Sequence, residues 1–130
     1  MKGCMKMEIF NMLRGHFALL INKPMTTPAQ GKEFHIESIS TEKGDWQIVL
    51  NISSGKQAKV YFSDILRVYT FIIDSNHPLT QVEIDNFVES NCLSKAITSY
   101  VIPLIATFSD IEVSKEPKLT VRFVQLSETL

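Results

Sequence analysis

The chain has 130 residues, of which 45% are hydrophobic and 21% charged, and its formal net charge is −1 at pH 7. This length suits one domain with its own core, and the composition excludes an intrinsically disordered chain. A net charge this close to zero lacks the strong field that nucleic-acid binding requires. We therefore expect a single domain over residues 1–130 with no nucleic-acid partner.

The N-terminal segment combines early lysines with a short apolar run, FALLI, at residues 17–21. Polar residues interrupt the apolar stretch before a signal-peptide core can form, so the segment is interpreted as mature sequence. We expect residues 1–11 to be disordered or additional to the fold. The first strand candidate is His16 to Asn22, and the stretch NKPMTTPAQG that follows is typical of a loop.

Apolar residues then recur with a period near two, which predicts half-buried strands. The first is KEFHIESIS (32–40), and TEKGD forms a turn before WQIVLNIS (46–53). A further strand begins at QAKVYF (57–62) and continues through SDILRVYTFIID (63–74), with a bulge near Ser63–Leu66 that corrects the register. Four consecutive strands with short loops predict an antiparallel meander with one face covered.

After residue 74 the apolar period changes to 3.6, which predicts helices. Thr80 and Glu83 form a capping box that opens the first helix. An apolar stripe three turns or more in length marks a second helix, with Leu93, Ile97, Tyr100, Val101, Leu104, Ile105 and Phe108. The tail PKLTVRFVQL (117–126) predicts a late strand or a docking arm. The predicted fold class is α+β, a four-stranded antiparallel meander followed by two helices packed on one face.

The segment Phe87 to Phe108 has three interpretations: a membrane anchor, a core helix or a surface that holds another chain. A spanning helix needs about 20 predominantly apolar residues, and the uncharged run from Ala96 to Ser109 is shorter, so no membrane insertion is expected. Ile102 and Pro103 lie off the apolar stripe, and a proline inside a helix costs about 3 kcal/mol. Apolar residues on a second face predict a subunit contact.

No motif of the chain predicts catalysis, a cofactor or a metal. His35 lies between Glu33 and Glu37 on one strand face, but solvated strand positions explain these three residues as well as a metal site does. Cys4 and Cys92 make neither a disulfide framework nor a zinc quartet, and free thiols fit the cytoplasm. The sequence therefore predicts a cytoplasmic protein that is not an enzyme and holds neither cofactor nor metal.

The order of elements and several segments resemble the SecB-type export chaperone family. LLINKPMTTP (19–28) is similar to that family's first strand and its exit, WQIVLNIS to its third strand, and KVYFSDILRVYTFI (59–72) to its fourth. VESNCLSKAITSYVIPLIATFS (88–109) is similar to the helix segment, with Asn91 and Tyr100 in matching places. The resemblance spans roughly residues 16 to 125.

The chain also departs from the family pattern in its helix segment. Ser99 stands where the family has proline, Ile102 stands where it has arginine, and Pro103 is additional. Classical members are strongly acidic and dock an export ATPase, and a chain with a net charge of −1 lacks the field for that docking.

The resemblance implies an ATP-independent chaperone that binds unfolded or precursor polypeptides in apolar grooves of a homo-oligomer, either a dimer or a tetramer. Flexible methionines and aromatic residues suit such a surface. The residues assigned to peptide binding are Met25, Phe34 and Trp46, with plain core packing as the alternative for all three. Those assigned to the oligomer interface are Tyr100, Ile102 and Pro103.

Two other functions stay open. One is an interaction domain of the same fold with one dedicated partner, such as the antitoxin of a toxin–antitoxin pair. The other is a small-molecule-binding α+β domain, or an enzyme, that uses the cleft between sheet and helices.

Overall fold

The computed structural model has an α+β architecture, which confirms the predicted fold class. It describes residues 2–28, 30–42, 44–52, 55–93, 98–115 and 118–124, with the side chains of all these except residues 2–7 and 42. The elements are α1 (Lys2–Ala18), β1 (Met25–Thr26), β2 (Glu33–Glu42), β3 (Asp45–Ile52), β4 (Gln57–Tyr61), α2 (Phe62–Asp74), β5 (Leu79–Thr80), α3 (Gln81–Asn91), α4 (Thr98–Ile105), β6 (Ile111–Ser114) and β7 (Thr120–Phe123). Ile97 and the side chain of Cys4, both named above, lie outside the described residues.

Strands β1 to β4 form an antiparallel sheet in sequence order, so the predicted meander is confirmed. In the pairing of β2 with β3, Ile36 lies opposite Leu50 and Ile39 opposite Ile48, and the register shifts between Ile36 and Ser38. The turn between these strands uses Gly44 at a φ of 79°, a conformation that costs glycine little. The alternation of apolar residues therefore predicts β2, β3 and β4 close to their observed positions.

The predicted N-terminal strand is wrong, because helix α1 runs from Lys2 through Ala18. Phe10, Leu13 and Phe17 are buried, and their spacing of three and four residues places them on one helical face. The expectation that residues 1–11 lie outside the fold is therefore also wrong for Phe10. The first strand is instead Met25–Thr26, inside the predicted loop.

The predicted continuation of the fourth strand is also wrong, because Phe62–Asp74 is helix α2 and the predicted bulge falls in its first two turns. Apolar side chains buried at helical spacing are Phe62, Ile65, Val68 and Ile72. The alternation of inward and outward residues does not continue through Asp64, because the spacing of the apolar residues changes from two to 3.6 at that point of the chain. Helix α2 contacts β3, β4, β7, α3 and α4, which places it at the centre of the fold.

The C-terminal part confirms two sequence predictions. The Thr80 Oγ1 accepts from the Glu83 N–H at 3.2 Å, and the Glu83 Oε1 accepts from the Thr80 N–H at 2.9 Å, which completes the capping box. The late strand is β7, which lies between β5 and β6 in a second, three-stranded sheet. Helix α4 contains Pro103, and Leu93 lies outside it.

Within the part of the chain that the structure describes, none of the helices combines the length and the apolar content that a membrane crossing demands.

Candidate functional site

The three residues assigned to peptide binding each pack against other parts of the chain. Phe34 is buried in the core, where its ring meets the Tyr100 ring edge-on at a centroid distance of 5.3 Å. Trp46 is half-buried, with the Phe62 ring 6.4 Å from it and the Arg14 guanidinium carbon 5.1 Å from its centroid. Met25 packs against the core beside Phe34. These contacts give all three residues a structural role within the chain.

The residues assigned to the oligomer interface have mixed surroundings. Ile102 is 2% exposed and belongs to the core of the single chain, so its apolar character no longer calls for a second subunit. Pro103 lines a small cavity of about 150 Å³ between α4, β1 and β6. The assignment of Tyr100 and Pro103 to an interface stays a prediction.

A larger cavity lies between helices α1 and α2 and the turn that follows α4. We call it the first hollow; its volume is about 470 Å³, and it is open to solvent. Its lining residues are Ile9, Met12, Leu13, His16, Leu66, Tyr69, Thr107, Phe108, Ser109 and Asp110. Met12 is 73% exposed at its rim. Half of these residues are apolar, and the polar side chains of His16, Thr107, Tyr69 and Asp110 meet around Phe108 at one end.

His16 joins helix α1 to the turn after α4. Its Nε2 lies 2.7 Å from the Thr107 Oγ1, and the Thr107 hydroxyl donates its proton to the Leu104 carbonyl at 2.6 Å. Because that proton is already used, the His16 Nε2–H must be the donor to Thr107. Burial lowers the pKa of His16 below its ordinary value of 6.5, which favours the neutral ring. The hydrogen bond to Thr107 then places the ring proton on Nε2.

Tyr69 on α2 donates a hydrogen bond from its hydroxyl to the Asp110 Oδ2 at 2.5 Å. Burial, with the hydrogen bond and the charge of Asp110, raises the pKa of Tyr69 to about 12. The ring of Phe108 lies between the two polar pairs, with its centroid 5.0 Å from His16 and 5.7 Å from Tyr69. The polar end of the first hollow is therefore built on an aromatic cluster.

We expect one tyrosine of the folded protein to ionise near pH 12, and Tyr69→Phe to remove that step. Asp110→Asn should lower the pKa of Tyr69 toward 10, though not fully, because burial is the largest cause of the shift. Since this pKa is raised on folding, the associated stability is present below about pH 10 and is lost as the pH rises through about 12. Tyrosinate absorbance against pH measures these steps. If Tyr69→Phe removed a step near pH 10 instead, the assignment would be wrong.

A second hollow lies on the other side of α2, between α2 and α3. Its volume is also about 470 Å³, and it is lined by Leu66, Arg67, Thr70, Phe71, Asp74, Phe87 and Asn91. The rings of Phe71 and Phe87 are stacked at a centroid distance of 4.2 Å and an interplanar angle of 9°. Leu66 lines both hollows, so the two cavities share an apolar wall at that side chain.

The lining of the two hollows combines apolar side chains with polar ones. In the described ranges no three His, Cys, Asp or Glu side chains come together as metal ligands. The sequence did not bring these lining residues together, because residues 1–11 were expected outside the fold, and His16 to Asn22 and residues 63–74 were predicted as strands. The spacing of Phe10, Leu13 and Phe17 was the available signal for α1.

Comparison of the chain with protein-family models, curated proteins and solved structures finds no significant match.

Proposed function

We propose that the protein binds apolar segments of non-native polypeptides, without ATP, along the surface formed by the two hollows. The observation that carries this proposal is the shared side chain of Leu66. A small ligand fills one cavity, whereas two neighbouring cavities with a common apolar wall suit successive side chains of a polymer. The accessible aromatic and aliphatic groups supply the binding energy, at about 25 cal/mol per Å² of apolar surface removed from water.

The chemistry of the rim supports an adaptable surface rather than a single rigid fit. Met12 and Ile9 extend the apolar lining onto the exposed face of α1, and Met12 has a flexible, polarisable side chain. Both hollows are open to solvent, so a chain longer than either hollow can lie across them. An open apolar surface on helices resembles the sites that take polypeptide segments.

This activity is the one that the resemblance to SecB-type chaperones implies, and the proposal includes the cytoplasmic homo-oligomer that belongs to it. The surface differs from the one assigned from the sequence, because Phe34 is buried and Trp46 is held between Phe62 and Arg14. The proposed binding residues are instead Met12, Leu66 and Phe87.

Leu66→Lys is expected to weaken the suppression of client aggregation about tenfold, because it places a charge between the two hollows. The measurement is light scattering during the refolding of several unrelated denatured enzymes, with increasing amounts of the protein.

Val82→Lys is the matched control, since Val82 is an aliphatic residue on a helix, is 66% exposed and lines neither hollow. It should suppress aggregation as the unmodified protein does. Failure of the unmodified protein to suppress aggregation of any client would overturn the proposal. Activity toward one client alone would favour a dedicated partner.

A further inference from the structure

Three polar side chains at one end of the first hollow already donate their protons within the chain. They can therefore offer only hydrogen-bond acceptors to a ligand. The Tyr69 hydroxyl proton is directed at Asp110, and the Thr107 hydroxyl proton at the Leu104 carbonyl. The neutral ring of His16 uses its Nε2–H on Thr107, which leaves Nδ1 as a lone-pair acceptor. A ligand that reaches these three groups must therefore bring donors.

The charge of the lining has one sign. Among the described residues that line the first hollow, Asp110 is the one with a formal charge at neutral pH when His16 is neutral. The carboxylate accepts a hydrogen bond from the Tyr69 hydroxyl, and the Tyr69 ring packs edge-on against that of Phe108. The faces of such rings attract a cation. Coulomb attraction and the ring quadrupoles thus favour a positive charge at the same end of the cavity.

We infer that the first hollow binds a small organic ammonium compound: a protonated amine on an aromatic or branched aliphatic body. The ammonium group supplies the donors for Asp110 and the neighbouring acceptors, and the body lies on Met12, Leu13 and Leu66. A volume of about 470 Å³ falls within the size range of small-molecule sites. The inference goes beyond the proposed function, because it concerns one hollow and a ligand that is not a polypeptide.

Three probes with the same ring and similar reach test the inference: 2-phenylethylammonium, 2-phenylethanol and 3-phenylpropanoate. Each is titrated into the full chain while the methyl signals of Met12 and Leu66 are followed by NMR, which yields a Kd. We expect the ammonium compound to bind about tenfold more tightly than the carboxylate, with the alcohol between them. An equal or tighter affinity for 3-phenylpropanoate overturns the inference, and this comparison requires no variant.

Asp110→Asn is the variant that isolates the charge, because asparagine keeps the shape of the side chain. It should lower the affinity for 2-phenylethylammonium to that for 2-phenylethanol. Asp74→Asn is the matched control, since Asp74 lines the second hollow, and it should leave the affinity unchanged. An unchanged affinity in Asp110→Asn, or a loss in Asp74→Asn alone, overturns the assignment. If the protein binds 2-phenylethylammonium but no unfolded polypeptide, the proposed function fails and this inference stands.

Discussion

Asp64→Ala is expected to lower the free energy of unfolding by about 3 kcal/mol, because it removes a buried carboxylate with two hydrogen-bond donors. The Asp64 Oδ1 accepts from the Arg67 Nη1 and from the backbone N–H of Leu93, both at 2.9 Å. The carboxylate lies in the first turn of α2 and thereby ties α2 to the chain just after α3. Arg67 is 43% exposed, so solvent screens its ion pair with Asp64. Most of the expected loss of stability is therefore assigned to the Leu93 contact and to the buried position of the carboxylate.

Asp74→Ala is the control for this prediction, because Asp74 is an exposed carboxylate at the other end of the same helix. Its replacement should change the free energy of unfolding by less than about 0.5 kcal/mol. Urea denaturation followed by circular dichroism measures both variants. An Asp64→Ala protein as stable as the Asp74→Ala protein would show that the buried carboxylate does not hold α2 in place.

Phe17→Ala is expected to cost about 4 kcal/mol, within the range for replacing a buried phenylalanine. Phe17 is buried where α1 meets the core, and its ring centroid lies 6.3 Å from that of Phe62 and 5.8 Å from that of Phe108. Its removal leaves a cavity beneath α1, where the ring packs against Phe62 and Phe108.

The control for Phe17 comes from the same segment of the chain. Leu19 is 75% exposed, and Leu19→Ala should change the free energy of unfolding by less than about 0.5 kcal/mol. Thermal unfolding of both variants, followed in the near ultraviolet, makes the comparison. Equal stabilities would contradict the placement of α1 on the core and would favour a peripheral N-terminal segment.

The elements predicted correctly are those whose residue pattern fits only one type of secondary structure. Strand β3 has an apolar residue at every second position from Trp46 to Ile52, and helix α3 has both a capping box and a 3.6-residue period. Helix α2 has a sequence rich in β-branched and aromatic residues directly after a real strand, so its local propensity favours strand. Packing of Ile65, Val68 and Ile72 into the core overrides that propensity.

The candidate site was less predictable than the fold, because it depends on pairs of elements that are distant in sequence. His16 and Thr107 are 91 residues apart, and Tyr69 and Asp110 are 41 apart. Neither pair has a spacing that marks a motif. The sequence also assigned Ile102 to a subunit contact because it lies off the helical stripe. The side chain is instead buried within the chain.

The most direct test of the proposed polypeptide-binding surface is methyl NMR of the full chain during titration with a reduced, permanently unfolded polypeptide. We predict that the methyl signals of Ile9, Met12 and Leu66 shift or broaden together, while that of Val82 keeps its position. Shifts confined to Val82, or no shift at Leu66 when binding is complete, would contradict the proposal that polypeptides lie across α2.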